Sequence, residues 1–211
     1  MNEIAKSRRK QAVDAVKREL IRSAAKQLFA EQGLDGTSVR EIAKQAGYTT
    51  GAIYFHYANK EELYADILRE SLDNLLKCVA SSVDGATEPV VALATAFRAL
   101  VGFYSENPRD LDLSLYLLNG ARPRGLTRAL NRELNGKLLA VLDVYRLQLA
   151  KAGVEDGRLS VEVGGLFDEM IGSLVASLTG RLKVIGTDLA SVVDHHVANL
   201  AVRLGKASDR K

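Results

Sequence analysis

The chain is poor in the residues that brace or interrupt a fold. Its one cysteine, Cys78, rules out an intrachain disulfide and a paired-cysteine metal motif, and on an apolar helix it reads as a small core residue. Its three prolines fall where a helix starts or stops. No apolar run approaches the length of a membrane span, and the N-terminus lacks the apolar core of a secretory leader, so a soluble, cytoplasmic protein is expected. There is no nucleophile elbow, no Walker loop and no HExxH pair. Asp168 and Glu169 are adjacent, which on a helix sets them about a hundred degrees apart. Asp194, His195 and His196 are neighbours too, and adjacent histidines do not share a face as an i, i+4 pair would. Neither an enzyme, a metal site nor a cofactor is expected from these patterns.

What is present is helix. No stretch alternates with a strand period and no repeat is visible, so the fold class is all-α. At 211 residues the chain suits one small and one medium domain, or one elongated helical protein. Charge is uneven: residues 1–60 carry 11 Lys and Arg against 6 Asp and Glu, a net +5, and the remainder carries −2. A basic head on a mildly acidic body suits nucleic acid at one end, although so small an asymmetry decides nothing alone.

The segment 37–60 is the most specific in the chain. Ser38 and Glu41, three apart, form a capping box that starts a helix near Val39. Val39, Ile42, Ala43 and Ala46 give it one buried stripe, and Gly47 supplies the left-handed turn that ends it. Thr49 or Thr50 caps a second helix through His56. Ile53 and Tyr57 are expected inward; Thr49, Thr50, Tyr54 and His56 are left facing out. Asn59 and Glu62 cap a long helix continuing to Val79. Two short helices about a tight turn form a helix-turn-helix, which lays its second helix in the DNA major groove. Gly51 lets the backbone approach the duplex. Lys60 carries positive charge where the helix dipole gives it no reward, which a phosphate would supply.

At these residues the chain resembles the tetracycline-repressor (TetR) family of transcription regulators. The likeness runs from Ala24–Phe29 and Gly33 through Thr37–Ala43, Ala46–Gly47, Thr50–Tyr57 and Lys60–Leu63, about the first third of the chain. It implies an N-terminal three-helix DNA-binding domain and a C-terminal helical domain that binds a ligand and dimerises through the last two long helices. In that reading Thr49, Thr50 and Tyr54 read or align bases, Gly51 allows close approach, and Ser38, Arg40, His56 and Lys60 hold phosphates. The partners implied are double-stranded DNA with a palindromic operator, a second copy of the chain, and a small-molecule effector that releases a repressor from its site. A ligand-independent architectural DNA-binding protein is the alternative.

The expected organisation is a basic arm at 1–12, a DNA-binding domain at 13–60 and a helical domain at 61–211. The arm, with Lys6, Arg8, Arg9 and Lys10, reads equally as a minor-groove or phosphate contact or as a solvated terminus. Helix 1 turns Val16, Leu20, Ala24, Leu28 and Phe29 inward and stops at Gly33. In the body, Phe97, Val101, Tyr104, Tyr116, Tyr145, Phe167 and Met170 are candidates to line a ligand pocket, though most suit plain core. Gly172, Ala176 and Gly180 recur every four residues on one helix. With Val193, Val197 and Leu200 of the last helix they are candidates for a dimer interface, or they pack inside one subunit.

Overall fold

A computed structural model describes the backbone of residues 2–116 and 126–208 and the side chains of residues 5–115 and 126–205. Among the described residues ten helices follow in order: α1 (Asn2–Gly36), α2 (Val39–Ala46), α3 (Thr50–His56), α4 (Lys60–Ser82), α5 (Pro89–Glu106), α6 (Pro108–Tyr116), α7 (Arg128–Lys151), α8 (Asp156–Leu178), α9 (Arg181–Ile185) and α10 (Leu189–Ser208). Among the described residues there is no strand, and no helix is long and apolar enough to cross a membrane. The chain is all-α, with an N-terminal helix-turn-helix followed by a helical domain.

Two compact units divide the chain: Met1–Glu70 with Arg109–Leu134, and Ser71–Pro108 with Asn135–Lys211. The first unit runs past residue 60, where a boundary was expected, and the chain returns to it with α6 and the start of α7. Side chains explain the return. The Tyr64 hydroxyl donates to the Leu113 carbonyl, and Lys26 donates to the Asp110 carboxylate at 2.7 Å. Asp110 is buried, so its carboxylate needs such a partner. Leu111 and Leu113 are buried as well, and the Phe29 ring meets Tyr64 edge-on at 5.4 Å.

The expected arm is helical. Nothing from Asn2 to Gln32 is glycine or proline, and Ala, Lys, Arg and Gln are good helix formers, so α1 extends to Asn2, with residues 5–12 exposed. Gly33, at φ 72°, kinks the helix where the sequence placed its end. The buried face of α1 is Ile21, Ala24, Ala25, Leu28 and Phe29. Val16 and Leu20, expected inward, are exposed, because the stripe that packs is set by Ile21 and Ala25 one residue on.

In the second unit α5 turns Leu93, Ala96, Phe97, Leu100, Val101 and Tyr104 into the core. Pro89 opens it, where a missing N–H costs no helical bond. The Tyr145 hydroxyl donates to the Ala96 carbonyl at 2.8 Å, joining α7 to α5. Within α8 the buried stripe is Leu159, Val163, Leu166, Met170 and Leu174. Val193 and Leu200 of α10, both expected at a dimer interface, are buried within the chain together with Leu204; Val197 is half-buried beside them. The most apolar stripe of α10 is its internal one. Gly180 caps α9 at φ 71°, after α8 has ended at Leu178. Gly172 is exposed and Ala176 half-buried.

Candidate nucleic-acid interface

The helix-turn-helix is built from local signals. The Ser38 hydroxyl accepts from the Glu41 N–H at 3.2 Å, and the Glu41 carboxylate accepts from the Ser38 N–H at 2.9 Å and hydroxyl at 2.7 Å. These bonds, the hydroxyl's first, hold the Glu41 carboxyl below its ordinary range. Gly47, at φ 74° and ψ 27°, ends α2; its left-handed backbone lets the Tyr48 N–H reach back to the Ala43 carbonyl at 2.9 Å. Thr49 then caps α3, its hydroxyl accepting from the Ala52 N–H at 3.3 Å. Asn59 caps α4, accepting from the Glu62 N–H at 2.8 Å.

α3 has seven residues and buries one of them, Ile53. Thr50, Gly51, Tyr54 and Phe55 are exposed, Tyr54 at 56% and Phe55 at 76%. Phe55 was not singled out in the sequence. An apolar ring between two polar outward positions is the signal that could have found it, and such a ring in solvent suits contact with a thymine methyl. Gly51 is unconstrained from within: a Cβ there would meet only the Thr49 hydroxyl oxygen, at 3.8 Å. Its small size serves nothing inside the chain. His56 is half-buried, its ring edge-on to Phe55 at 5.0 Å. Arg40 is exposed, whereas the hydroxyls of Ser38 and Thr49 are used as caps.

Lys60, expected on a phosphate, has partners within the chain. Its ammonium donates to the carbonyls of Leu34 at 2.7 Å and Thr37 at 3.1 Å, tying the start of α4 to the turn between α1 and α2. Those carbonyls have no helical partner, so they give the ammonium the reward that the helix dipole withholds.

Behind α3 lies a charged cluster that the sequence did not reveal. Tyr57, the C-cap of α3, is buried. Its hydroxyl accepts from Arg18 Nε at 2.9 Å and donates to Asp66 Oδ2 at 2.7 Å. Asp66 also pairs with Arg18 at 3.0 Å and Arg69 at 2.9 Å. Burial pushes the Asp66 carboxyl up, but the Tyr57 hydroxyl and the guanidinium groups of Arg18 and Arg22 outweigh it and leave it below its ordinary range. Burial raises the Tyr57 phenol to about 12, against the opposing pull of Arg18. Arg18 lies 39 positions from Tyr57 and 48 from Asp66, so no local spacing announces its part, although Asp66 and Arg69 are an i, i+3 pair.

Residues 21–67 match the family described as bacterial regulatory proteins, tetR family. This segment of the chain is a TetR-family domain. Over 140 residues it is 32% identical to the HTH-type transcriptional repressor KstR2 of Rhodococcus jostii strain RHA1, covering 64% of each chain. Matches to the KstR2 repressors of three species cover 42 to 64% of those relatives' lengths. The TetR fold extends over nearly the whole chain. The transcriptional regulator FadR from Bacillus subtilis, solved with stearoyl-CoA, superposes with a TM-score of 0.72 at 18% identity, covering 86% of this chain and 96% of FadR. AibR, solved with isovaleryl coenzyme A and operator DNA, gives 0.69 at 20% identity, covering 86% and 96%.

The ligand-pocket candidates of the TetR-type body fare unevenly. Phe97, Tyr104, Tyr145 and Met170 are buried and Phe167 half-buried. The side chain of Tyr116 lies outside the described residues. Val101 lines a cleft of about 400 Å³ between α5 and α10, together with Gly102, Leu189, Ala190 and Val193. Arg98 and Asp194 pair at 2.8 Å on its wall. His195 meets Asn199 at 2.9 Å, and His196 lies 3.6 Å from Glu169. Among the described residues no group of three or more His, Cys, Asp and Glu is placed to hold a metal.

Proposed function

We propose that the protein is a sequence-specific transcriptional regulator, a repressor that binds a palindromic operator as a homodimer and leaves it when a small molecule binds the body. The observation that carries this reading is α3: a capped helix held by one buried side chain and presenting Thr50, Gly51, Tyr54 and Phe55 to solvent. Thr50, Tyr54 and Phe55 face base edges; Arg40 and His56 hold phosphates. Operator affinity should lie at about 10⁻⁸–10⁻¹¹ M at physiological salt.

The dimer face is the outward stripe of the last two long helices. It comprises Val161, Gly165, Gly172 and Ala176 on α8 with Ala198 and Val202 on α10, in register and opposite the internal stripes. Val161 is 76% and Val202 57% exposed, as suits residues that await a second copy. The α5–α10 cleft is the first place to seek an effector. Acyl-coenzyme A thioesters are the first probes, because FadR and AibR are described with such ligands. To move a 1:99 equilibrium to 99:1 the effector must favour the released state by about 5.5 kcal/mol.

Selection of sites from a random duplex pool by the purified protein tests the reading. An enriched palindrome, with half-sites roughly 34–36 Å apart or a multiple, supports it. Salt-sensitive binding without enrichment would instead indicate an architectural protein.

A further inference from the structure

α3 is too short to orient itself. With only Ile53 buried, its direction depends on how its C-cap, Tyr57, is held. Asp66 holds that hydroxyl at 2.7 Å, and what holds Asp66 is a set of arginines: Arg18 at 3.0 Å, Arg69 at 2.9 Å and Arg22 at 3.8 Å. Arg69 is shared. While its Nη1 reaches Asp66, its Nε and Nη2 donate to the two oxygens of Glu133 on α7, at 2.5 and 3.2 Å. The planar guanidinium fixes these directions together, so the bidentate pair with Glu133 sets where Nη1 meets Asp66. A row of four side chains thus runs from the second turn of α7 to the end of the recognition helix.

We infer that Glu133 is a positioning residue for α3, acting through Arg69 and Asp66 on the Tyr57 hydroxyl. The inference deepens the proposed function and rests on α3 being the helix that reads DNA. None of the four side chains needs to touch a phosphate for this role. Their contribution goes to specific recognition, which depends on the orientation of α3, and not to the charge that draws any duplex.

The test compares the full-length protein with Tyr57→Phe, Glu133→Gln and the double variant. Binding is read on a selected operator and on a scrambled duplex over a range of salt, and amide exchange is followed in the free proteins. Tyr57→Phe should weaken operator binding about ten-fold, the scale of one hydrogen bond to a charged partner. Glu133→Gln should weaken it about three-fold, and the double variant no more than Tyr57→Phe alone, because both act on one row. Scrambled-duplex affinity and the salt slope should not change. Exchange in α3 should rise in both single variants while α2 keeps its protection; a general loosening would raise both.

The inference is overturned if the two losses multiply to about thirty-fold, if specific and non-specific binding fall together, or if α3 exchange in Glu133→Gln matches the parent. Should the parent select no operator, the functional reading fails, and the exchange comparison still decides the positioning role.

Discussion

Replacing Lys60 by methionine separates two uses of one ammonium group. Methionine keeps the unbranched apolar stem and removes the charge. The structure puts that charge on the Leu34 and Thr37 carbonyls at 2.7 and 3.1 Å, in a turn where the buried Thr37 hydroxyl also donates to the Gly33 carbonyl at 2.8 Å. A hydrogen bond with one charged partner contributes about 1.5–3 kcal/mol. Two such bonds at a half-buried site, where water replaces part of the loss, come to about 2–3 kcal/mol together. A chain of this size loses about 2–4 °C in Tm per kcal/mol, so a fall of roughly 5–10 °C is expected in a thermal melt. The second half of the assay is the slope of log affinity against log salt for duplex DNA. A phosphate contact contributes about 0.9 to that slope, and Lys60→Met should leave it unchanged. An unchanged Tm with a slope reduced by about 0.9 would refute the assignment and return Lys60 to the phosphate role.

Three further outcomes follow from the same geometry. Gly51→Ala should raise the Tm slightly, since alanine is favoured by about 0.5–1 kcal/mol inside a helix, and should weaken operator binding through its methyl group; unchanged affinity would remove the close backbone approach. Tyr54→Ala should weaken specific binding at least ten-fold, the scale of one base contact, with the melt unaltered because the ring is exposed; near-parental affinity would sink the assignment of α3. Asp66→Asn should cost stability in a pH-dependent way. The folded-state carboxyl lies below its ordinary value, so its contribution is fully present above about pH 4 and is lost as pH falls through the depressed value. The gap in denaturant midpoint between parent and variant should therefore shrink in acid; a gap constant from neutral pH into acid would show that Asp66 is not held as described.

What the sequence made legible is what neighbours in sequence decide. Capping is a three-residue relation, so Ser38 with Glu41 and Asn59 with Glu62 could be read before any contact was known, and a left-handed residue at Gly47 follows from where the apolar stripe stops. The same logic found Ile53 as the buried anchor of α3 and Gly33 as the end of the regular part of α1. It decides less where two periodic stripes compete. α10 carries Val193, Val197, Leu200 and Leu204 on one side and Ala198 and Val202 on the other. Apolarity chose the first for the dimer face, yet Val193, Leu200 and Leu204 are buried within the chain and Val197 is half-buried. On α1, Val16 and Leu20 have the right spacing but lie one residue off the stripe that packs through Ile21 and Ala25, so they stay exposed. Spacing gives a face; only the packed neighbours say which of two adjacent faces is covered.

Charge was harder to read than apolarity, for a physical reason. An arginine on a surface helix is ordinary; Arg69 follows Asp66 at i, i+3, but Arg18 and Arg22 carry no local mark that they share the same carboxylate. Their partner is specified by tertiary placement: α1 and α4 meet behind α3, leaving a buried phenol that needs an acceptor and a partly buried carboxylate that needs donors. Lys60 follows the same rule. Its position at a helix N-terminus was rightly seen as unrewarded, but the nearest compensation lay within the chain. A partly buried ammonium takes an orphan carbonyl at 2.7 Å before it waits for a phosphate, because the carbonyl is present whether or not DNA is bound. Cations facing the inside of a helix-turn-helix are therefore better read as struts of the fold, and exposed ones on its outer surface, such as Arg40, as the proposed contacts for DNA.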